Sequence, residues 1–173
     1  TDIDSTCWNF QPNSAYPGPI GLKGAQLPRS GSSMAGMALY TIAGMNQREY
    51  IQVHLNSPVV VSGKYLVECF VSLGDYAEFA SNGLGFQLSL NAISSGNDGV
   101  LGFTPQYVVQ NPISETHQWV RVFDTITATD AFEYLTIGNF SNDVSTTVLA
   151  NPSASGQPGT YGAYYFIDDV RVE

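Results

Sequence analysis

The chain closes on Ala163-Tyr164-Tyr165-Phe166-Ile167-Asp168-Asp169-Val170-Arg171-Val172-Glu173, a β-prone run of aromatic and branched residues that carries two adjacent carboxylates. Neighbouring side chains of a strand point to opposite faces, so one of Asp168 and Asp169 should share the face of Phe166 and Val170. A carboxylate on an apolar face needs a partner, and a metal ion is one candidate. Calcium takes hard oxygen ligands, and Asp168 with Asp169, joined by a group near Asp4, is the best nucleus for such a site. The alternative is that one of the pair faces solvent while the other caps a turn or pairs with Arg48 or Arg171.

Other chemistries find less support. Neither histidine, His54 in a strand or His117 in a turn before Trp119, has an evident nucleophile nearby, and no Gly-x-Ser-x-Gly elbow occurs. Cys and His are not clustered at zinc-site spacing. Glycoside hydrolysis needs two carboxylates held across a cleft, and nothing singles out a pair such as Asp75 with Glu78. An enzyme is therefore not expected. Sugar binding needs flat rings flanked by hydrogen-bonding groups, and tyrosine supplies an apolar body with a polar handle. Of the ten tyrosines, Tyr16, Tyr76 and Tyr107 fall in loop-like stretches, and Arg48 and Asp75 are candidates for the flanking groups. The two cysteines, Cys7 and Cys69, form either a disulfide across a long loop or two separate buried thiols.

The frame that must hold these groups is set by composition. A chain of 173 residues with 43% apolar content is long enough to bury a core and is read as one domain. Its charged fraction of 12% is about half the usual quarter. Six Lys and Arg against fifteen Asp and Glu give a net charge of −9, which excludes a nucleic-acid partner because a phosphate backbone needs a basic stripe. No apolar run approaches the roughly 18 residues of a membrane span, so membrane insertion is not expected. The chain starts at Thr1 without a signal peptide and is expected to be a mature or excised fragment. Low lysine with abundant Ser, Thr, Asn and Gly suggests an extracellular setting.

Thr1 to Arg29, with four prolines and no period, reads as an irregular N-terminal wrap, a long ordered loop or short strands around the domain. Met34 to Ala43 reads as a strand of small residues. Period-two alternation follows: Ile51, Val53 and Leu55 oppose Tyr50, Gln52 and His54; Tyr65, Val67, Cys69, Val71 and Leu73 share a face, as do Leu84, Phe86, Leu88 and Leu90. Tyr107 to Val109, Trp119 to Thr127, Glu133 to Phe140 and Ala163 to Val172 continue the series. About eight strands separated by turn clusters, with no helical period anywhere, indicate an all-β sandwich of antiparallel sheets.

These segments carry a resemblance. Tyr164-Tyr165-Phe166-Ile167-Asp168-Asp169-Val170-Arg171-Val172 resembles the closing strand of jelly-roll carbohydrate-binding modules of the xylan- and glucan-binding type, and Met34 to Leu39 resembles their early strand. Arg48 to Val53, Tyr65 to Tyr76, Leu135 to Phe140 and the closing strand together resemble a domain of secreted outer-surface proteins of gliding bacteria, often found beside adhesion modules. The resemblance implies a galactose-binding-like jelly roll and a structural calcium on one Asp of the closing pair with groups near the N-terminus, although the family's N-terminal Asn-x-x-Phe-Glu element is absent. It also implies pairing of Cys7 with Cys69. Asp4-Ser5-Thr6 and Asp124-Thr125-Ile126 resemble the O-glycosylation signal of such proteins. The reading that follows is a non-catalytic extracellular module that engages a polysaccharide or cell-surface glycan, with calcium supporting the scaffold. The alternative is a structural or adhesive subunit of a fibre, sheath or large adhesin, self-associating or held by neighbouring domains.

Overall fold

The structure, a computed structural model, describes residues 20–21, 24–41, 44–94, 97–154 and 162–173. The strands are β1 (Ile20–Gly21), β2 (Gly24–Ala25), β3 (Ala35–Tyr40), β4 (Tyr50–His54), β5 (Lys64–Leu73) and β6 (Phe79–Ser81). They continue with β7 (Leu84–Ser89), β8 (Tyr107–Val108), β9 (Val120–Thr127), β10 (Tyr134–Asn139), β11 (Val148–Ala150) and β12 (Ala163–Val172). Two antiparallel four-stranded sheets form the sandwich, in the orders β3-β12-β5-β9 and β4-β10-β7-β8. The long strands alternate between the sheets along the chain, in the manner of the jelly roll that the resemblance implied; the alternating segments themselves indicated the sandwich.

The period-two faces become the core. Val67, Cys69, Val71 and Leu73 of β5 meet Leu84, Phe86 and Leu88 of β7 and Leu135 and Ile137 of β10, all essentially inaccessible to solvent. Leu90, grouped with the β7 face in the sequence, is exposed one residue beyond the strand end. The β1-β2 hairpin puts short strands in the N-terminal stretch, one of the two readings made of it, whereas the β6-β11 ribbon was not read from the sequence.

The closing strand is not regular. With Tyr165 and Ile167 inward, an uninterrupted β12 would turn Asp169 and Arg171 into the core and Val170 out. Instead the register against β5 shifts between Asp168 and Arg171, and Asp169 takes a left-handed φ of 49°. This one extra residue is a β-bulge. It resets the alternation, so that Val170 is buried, Val172 packs on the core and Arg171 faces out. Phe166 and Val170 therefore lie on opposite faces, contrary to the expectation from strict alternation.

Part of each broad sheet face is covered by the chain itself, while Arg121, Phe123, Thr125 and Arg171 on the outer face of the first sheet stay exposed. Residues 26–30 cross the outside of the first sheet: Gln26 Nε2 donates to Ser72 Oγ (2.7 Å), Trp119 Nε1 donates to the Leu27 carbonyl (3.2 Å), and the Arg29 guanidinium stacks 3.5 Å from the Phe70 ring centroid. The loop after β7 crosses the outside of the second sheet. There Gln52 donates to the Ile93 carbonyl and accepts from the Ile93 N–H (2.9 and 3.1 Å), while Tyr50 Oη accepts from the Leu101 N–H (3.0 Å). Gly138 makes room for this cover, because a Cβ at that position would collide with the Tyr50 ring.

Candidate functional site

One row of the second sheet escapes its cover. The register sets His54 of β4 directly opposite Tyr134 of β10, and Tyr134 opposite Ser89 of β7. Directly opposed residues share a face, so all three point outward. The next row, Gln52, Thr136 and Gln87, lies under the loop, with Thr136 and Gln87 buried. His54 is exposed, and its ring centroid lies 4.8 Å from that of Tyr134. His54 Nε2 stands 3.6 Å from Glu133 Oε2.

His54 also borders a cleft of about 250 Å³. The opening has a topological cause: β3 pairs only with Ala163–Ile167, so among the described residues the end of β12 beyond it has no strand partner on that side. Val53, Leu55, Val60, Val170 and Val172 form apolar walls, and Asn56, Ser57 and the Tyr65 ring supply polar edges. The loop that carries Asn56 and Ser57 is held by Leu55 N–H donating to the Glu133 carbonyl (2.7 Å) and Val59 N–H donating to the Phe132 carbonyl (3.0 Å). Val59 anchors it by burial, and Tyr65 Oη accepts from the Val60 N–H (2.7 Å). The row and the cleft meet at His54, bringing three rings (His54, Tyr134 and Tyr65), the Asn56 amide, the Ser57 hydroxyl, the Glu133 carboxylate and the Arg171 guanidinium around apolar walls. No serine or cysteine among the described residues hydrogen-bonds to either histidine, and no carboxylate is among the described residues lining the cleft. The arrangement offers apolar surface and a few hydrogen-bonding groups to a bound molecule.

Of the ligand residues anticipated from the sequence, Arg48, Asp75, Tyr76 and Tyr107 lie elsewhere. Tyr16 falls outside the described residues. Arg48 is a buried hub: Nη2 donates to Asp143 Oδ1 (2.8 Å) and the Ser141 carbonyl (2.9 Å), and Nη1 to the Gln47 carbonyl (2.8 Å). Asp143 Oδ2 accepts in turn from the N–H groups of Gly44 (2.7 Å) and Asn46 (3.0 Å), knotting two loops together. Asp75 and Tyr76 are half-buried in the turn after β5, where Asn151 Nδ2 donates to the Asp75 and Ala77 carbonyls (3.2 and 2.8 Å). Tyr107 faces inward from β8, stacked 5.5 Å from Phe86 with an interplanar angle of 29°. Burial, then the Asp124 carboxylate, push its hydroxyl above the usual tyrosine range. His54 and Tyr134 were not singled out as ligand groups. The alternation already set His54 on a polar face, but its neighbour follows only from the register of two strands far apart in sequence.

The metal expectation divides in the same way. Asp4 lies outside the described residues, and no group of three or more His, Cys, Asp or Glu side chains gathers among those described. Asp168 Oδ2 accepts from the N–H groups of Arg29 (2.7 Å) and Ser30 (3.3 Å), and Oδ1 from the Asp169 N–H (2.8 Å). Asp169 pairs with the Arg29 guanidinium and accepts from Ser30 Oγ (2.5 Å). The partner is thus Arg29, not Arg48 or Arg171, and a cation here would have to take both carboxylates from Arg29 and Ser30. Cys69 is a free, fully buried thiol whose pKa burial raises strongly, and the structure lends no support to the bridge with Cys7, which lies outside the described residues.

No family model matches the chain, and no curated protein does. Among solved structures, the K3 cleaved adhesin domain of Lys-gingipain from Porphyromonas gingivalis W83 aligns with 99% of this chain and 91% of that one, at 12% identity and a TM-score of 0.43. No residue's role is carried over from so faint a likeness. No helix among the described residues is long and apolar enough to cross a membrane.

The two aspartate clasps have a pH consequence. The Ser30 hydroxyl, then Arg29, hold Asp169 below the usual carboxylate range against opposing burial. Burial pushes Asp143 up, but the Asn46 N–H, Arg48 and the Gly44 N–H outweigh it and leave that carboxyl low as well. A depressed folded-state pKa adds stability above the unfolded value of ~3.9 that is lost as pH falls through the folded one. Melting temperature should stay level from neutral pH to about 5 and drop below about pH 4. Asp143→Asn and Asp169→Asn should each flatten that drop, as followed by circular dichroism.

Proposed function

We propose that the chain is a non-catalytic extracellular module of carbohydrate-binding type, and that its ligand lies across the His54–Tyr134 row into the adjoining cleft. The supporting observation is that row itself: two outward rings beside a half-apolar cleft, on a sheet whose next row is covered by the chain's own loop. Sugar rings present an apolar face with a rim of hydroxyls, and this site offers rings for the one and Asn56, Ser57 and Glu133 for the other. The net charge of −9 favours a neutral glycan. Calcium, if bound, serves the scaffold at the Asp168–Asp169 end.

Affinity electrophoresis against neutral plant, algal and bacterial polysaccharides is expected to show retardation, with Tyr134→Ala weakening it about tenfold and the melting temperature little changed. Silence across that panel would sink the reading. A structural or adhesive subunit is the second reading, and the outer edge of β9, unpaired among the described residues, favours it.

A further inference from the structure

The four sheet edges are not treated alike. β3 is blocked by Glu49: its carboxylate accepts from the Ala38 N–H (2.7 Å) and its own N–H donates to the Ala38 carbonyl (3.1 Å). β8 is two residues long, and Gln106 lies beside it with its side-chain amide donating to the Leu88 carbonyl (3.1 Å) and accepting from the Leu88 N–H (2.8 Å). β4 is five residues long, and the Arg48 N–H just before it donates to the Asp98 carbonyl (2.7 Å). β9 is different. All eight of its residues pair with β5 without a register shift, and among the described residues no main-chain group of β9 bonds to anything else. In an antiparallel strand every second residue directs its N–H and C=O away from the partner, so β9 offers a regular row of free donors and acceptors.

A groove of about 390 Å³ runs beside this edge, lined by β9 residues on one side and by the 109–115 segment on the other. Its lining carries one cation, Arg121, and one carboxylate, Glu115, while Asp124, further along β9, lies outside that lining; the cation is neutralised by Glu68, so the uncompensated charge is negative. Arg121 is already committed, with Nε donating to Glu68 Oε2 (2.6 Å) and the guanidinium 4.2 Å from the Phe123 ring centroid. Glu115 lines the groove with its carboxylate held ionised by the His117 and Gln118 N–H groups, and Asp124 stands half-buried on the inward face of β9 opposite the Tyr107 hydroxyl.

The geometry points to β9 as the docking edge for an extended polypeptide segment of a partner protein, one that adds a strand to the sheet and sets Lys or Arg at alternate positions against Asp124 and Glu115. Main-chain bonds supply affinity in this mode, and the alternate side chains supply selection. A second copy of this chain fits poorly. Opposed residues of paired strands share a face, so β9 on β9 brings Asp124 against Val120, Val122, Ile126 or another Asp124, and never against Arg121, which lies on the other face.

The test uses the isotope-labelled chain and a synthetic peptide of alternating lysine and valine matched to β9 in length. The expected result is fast exchange of every second β9 amide in the free chain, and shifts and protection along β9 and Asn111–Glu115 on titration. The same peptide with glutamate for lysine should bind at least about tenfold more weakly, and Asp124→Asn should narrow that ratio. Methylating alternate peptide nitrogens should abolish binding. The proposal is overturned by no binding, by equal binding of the two peptides, by β9 edge amides already protected in the free chain, or by sedimentation showing a dimer that buries β9.

Discussion

Replacing Arg48 with methionine is expected to cost about 3 kcal/mol of stability, at the lower end of the 3–5 kcal/mol typical when one partner of a buried ion pair is removed. Arg48 is wholly buried and Asp143 nearly so, with side-chain exposures of 0% and 8%. Methionine fills much of the same volume but leaves the Asp143 carboxylate and the Ser141 carbonyl without their charged donor. The value falls at the lower end because the Gly44 and Asn46 N–H groups still bond Asp143. Pairing the change with Asp143→Leu should recover a good part of the loss, since two apolar groups leave no stranded charge. Urea denaturation of the three variants checks this. The same experiment decides between two roles for Arg48. As a hub it should leave glycan affinity of the folded protein unchanged, because the knot touches none of the residues lining the His54 cleft. Lost binding at unchanged stability would instead return Arg48 to the ligand site that its sequence position suggested.

The long strands were legible because their signal is local. Val67, Cys69, Val71 and Leu73 alternate within one segment, and that alternation alone puts them in the core. Phe79-Ala80-Ser81 and Val148-Leu149-Ala150 are too short to show a period, so their pairing was invisible until the chain brought them together. Long-range polar partners failed for a related reason. Nothing local to Asp169 marks Arg29 as its counterion 140 residues away, nor does Asp143 announce that it will neutralise Arg48. Tyr107 had the loop-like surroundings expected of a ligand ring, yet its register opposite Phe86 turns it into the mouth of the core. Outward residues could be read from alternation. Which of them the chain would then cover with its own loops could not.

Two single deletions in the closing strand, one residue apart, should have opposite consequences. Removing Asp169 takes out the bulge residue itself. The sequence Ile167, Asp168, Val170, Arg171, Val172 then alternates regularly, with the valines inward and the two charges outward, and Val170 falls opposite Cys69 in the β5 register. What is lost is a pair with a guanidinium that is 37% exposed, about 0–1 kcal/mol, offset by relief of a left-handed residue. Removing Val170 admits no such solution. If the bulge closes, Asp169 turns into the core; if it persists, Arg171 does. Either outcome buries an unpaired charge at several kcal/mol and forfeits about 1.5–3 kcal/mol of valine burial, a large share of the 5–15 kcal/mol that holds a domain folded. The Asp169 deletion should therefore melt cooperatively near the parent temperature, and the Val170 deletion should show no cooperative transition. Equal loss in both would mean that Asp169 is no phase-resetting residue, and that the paired carboxylates matter to this strand for some reason other than its register.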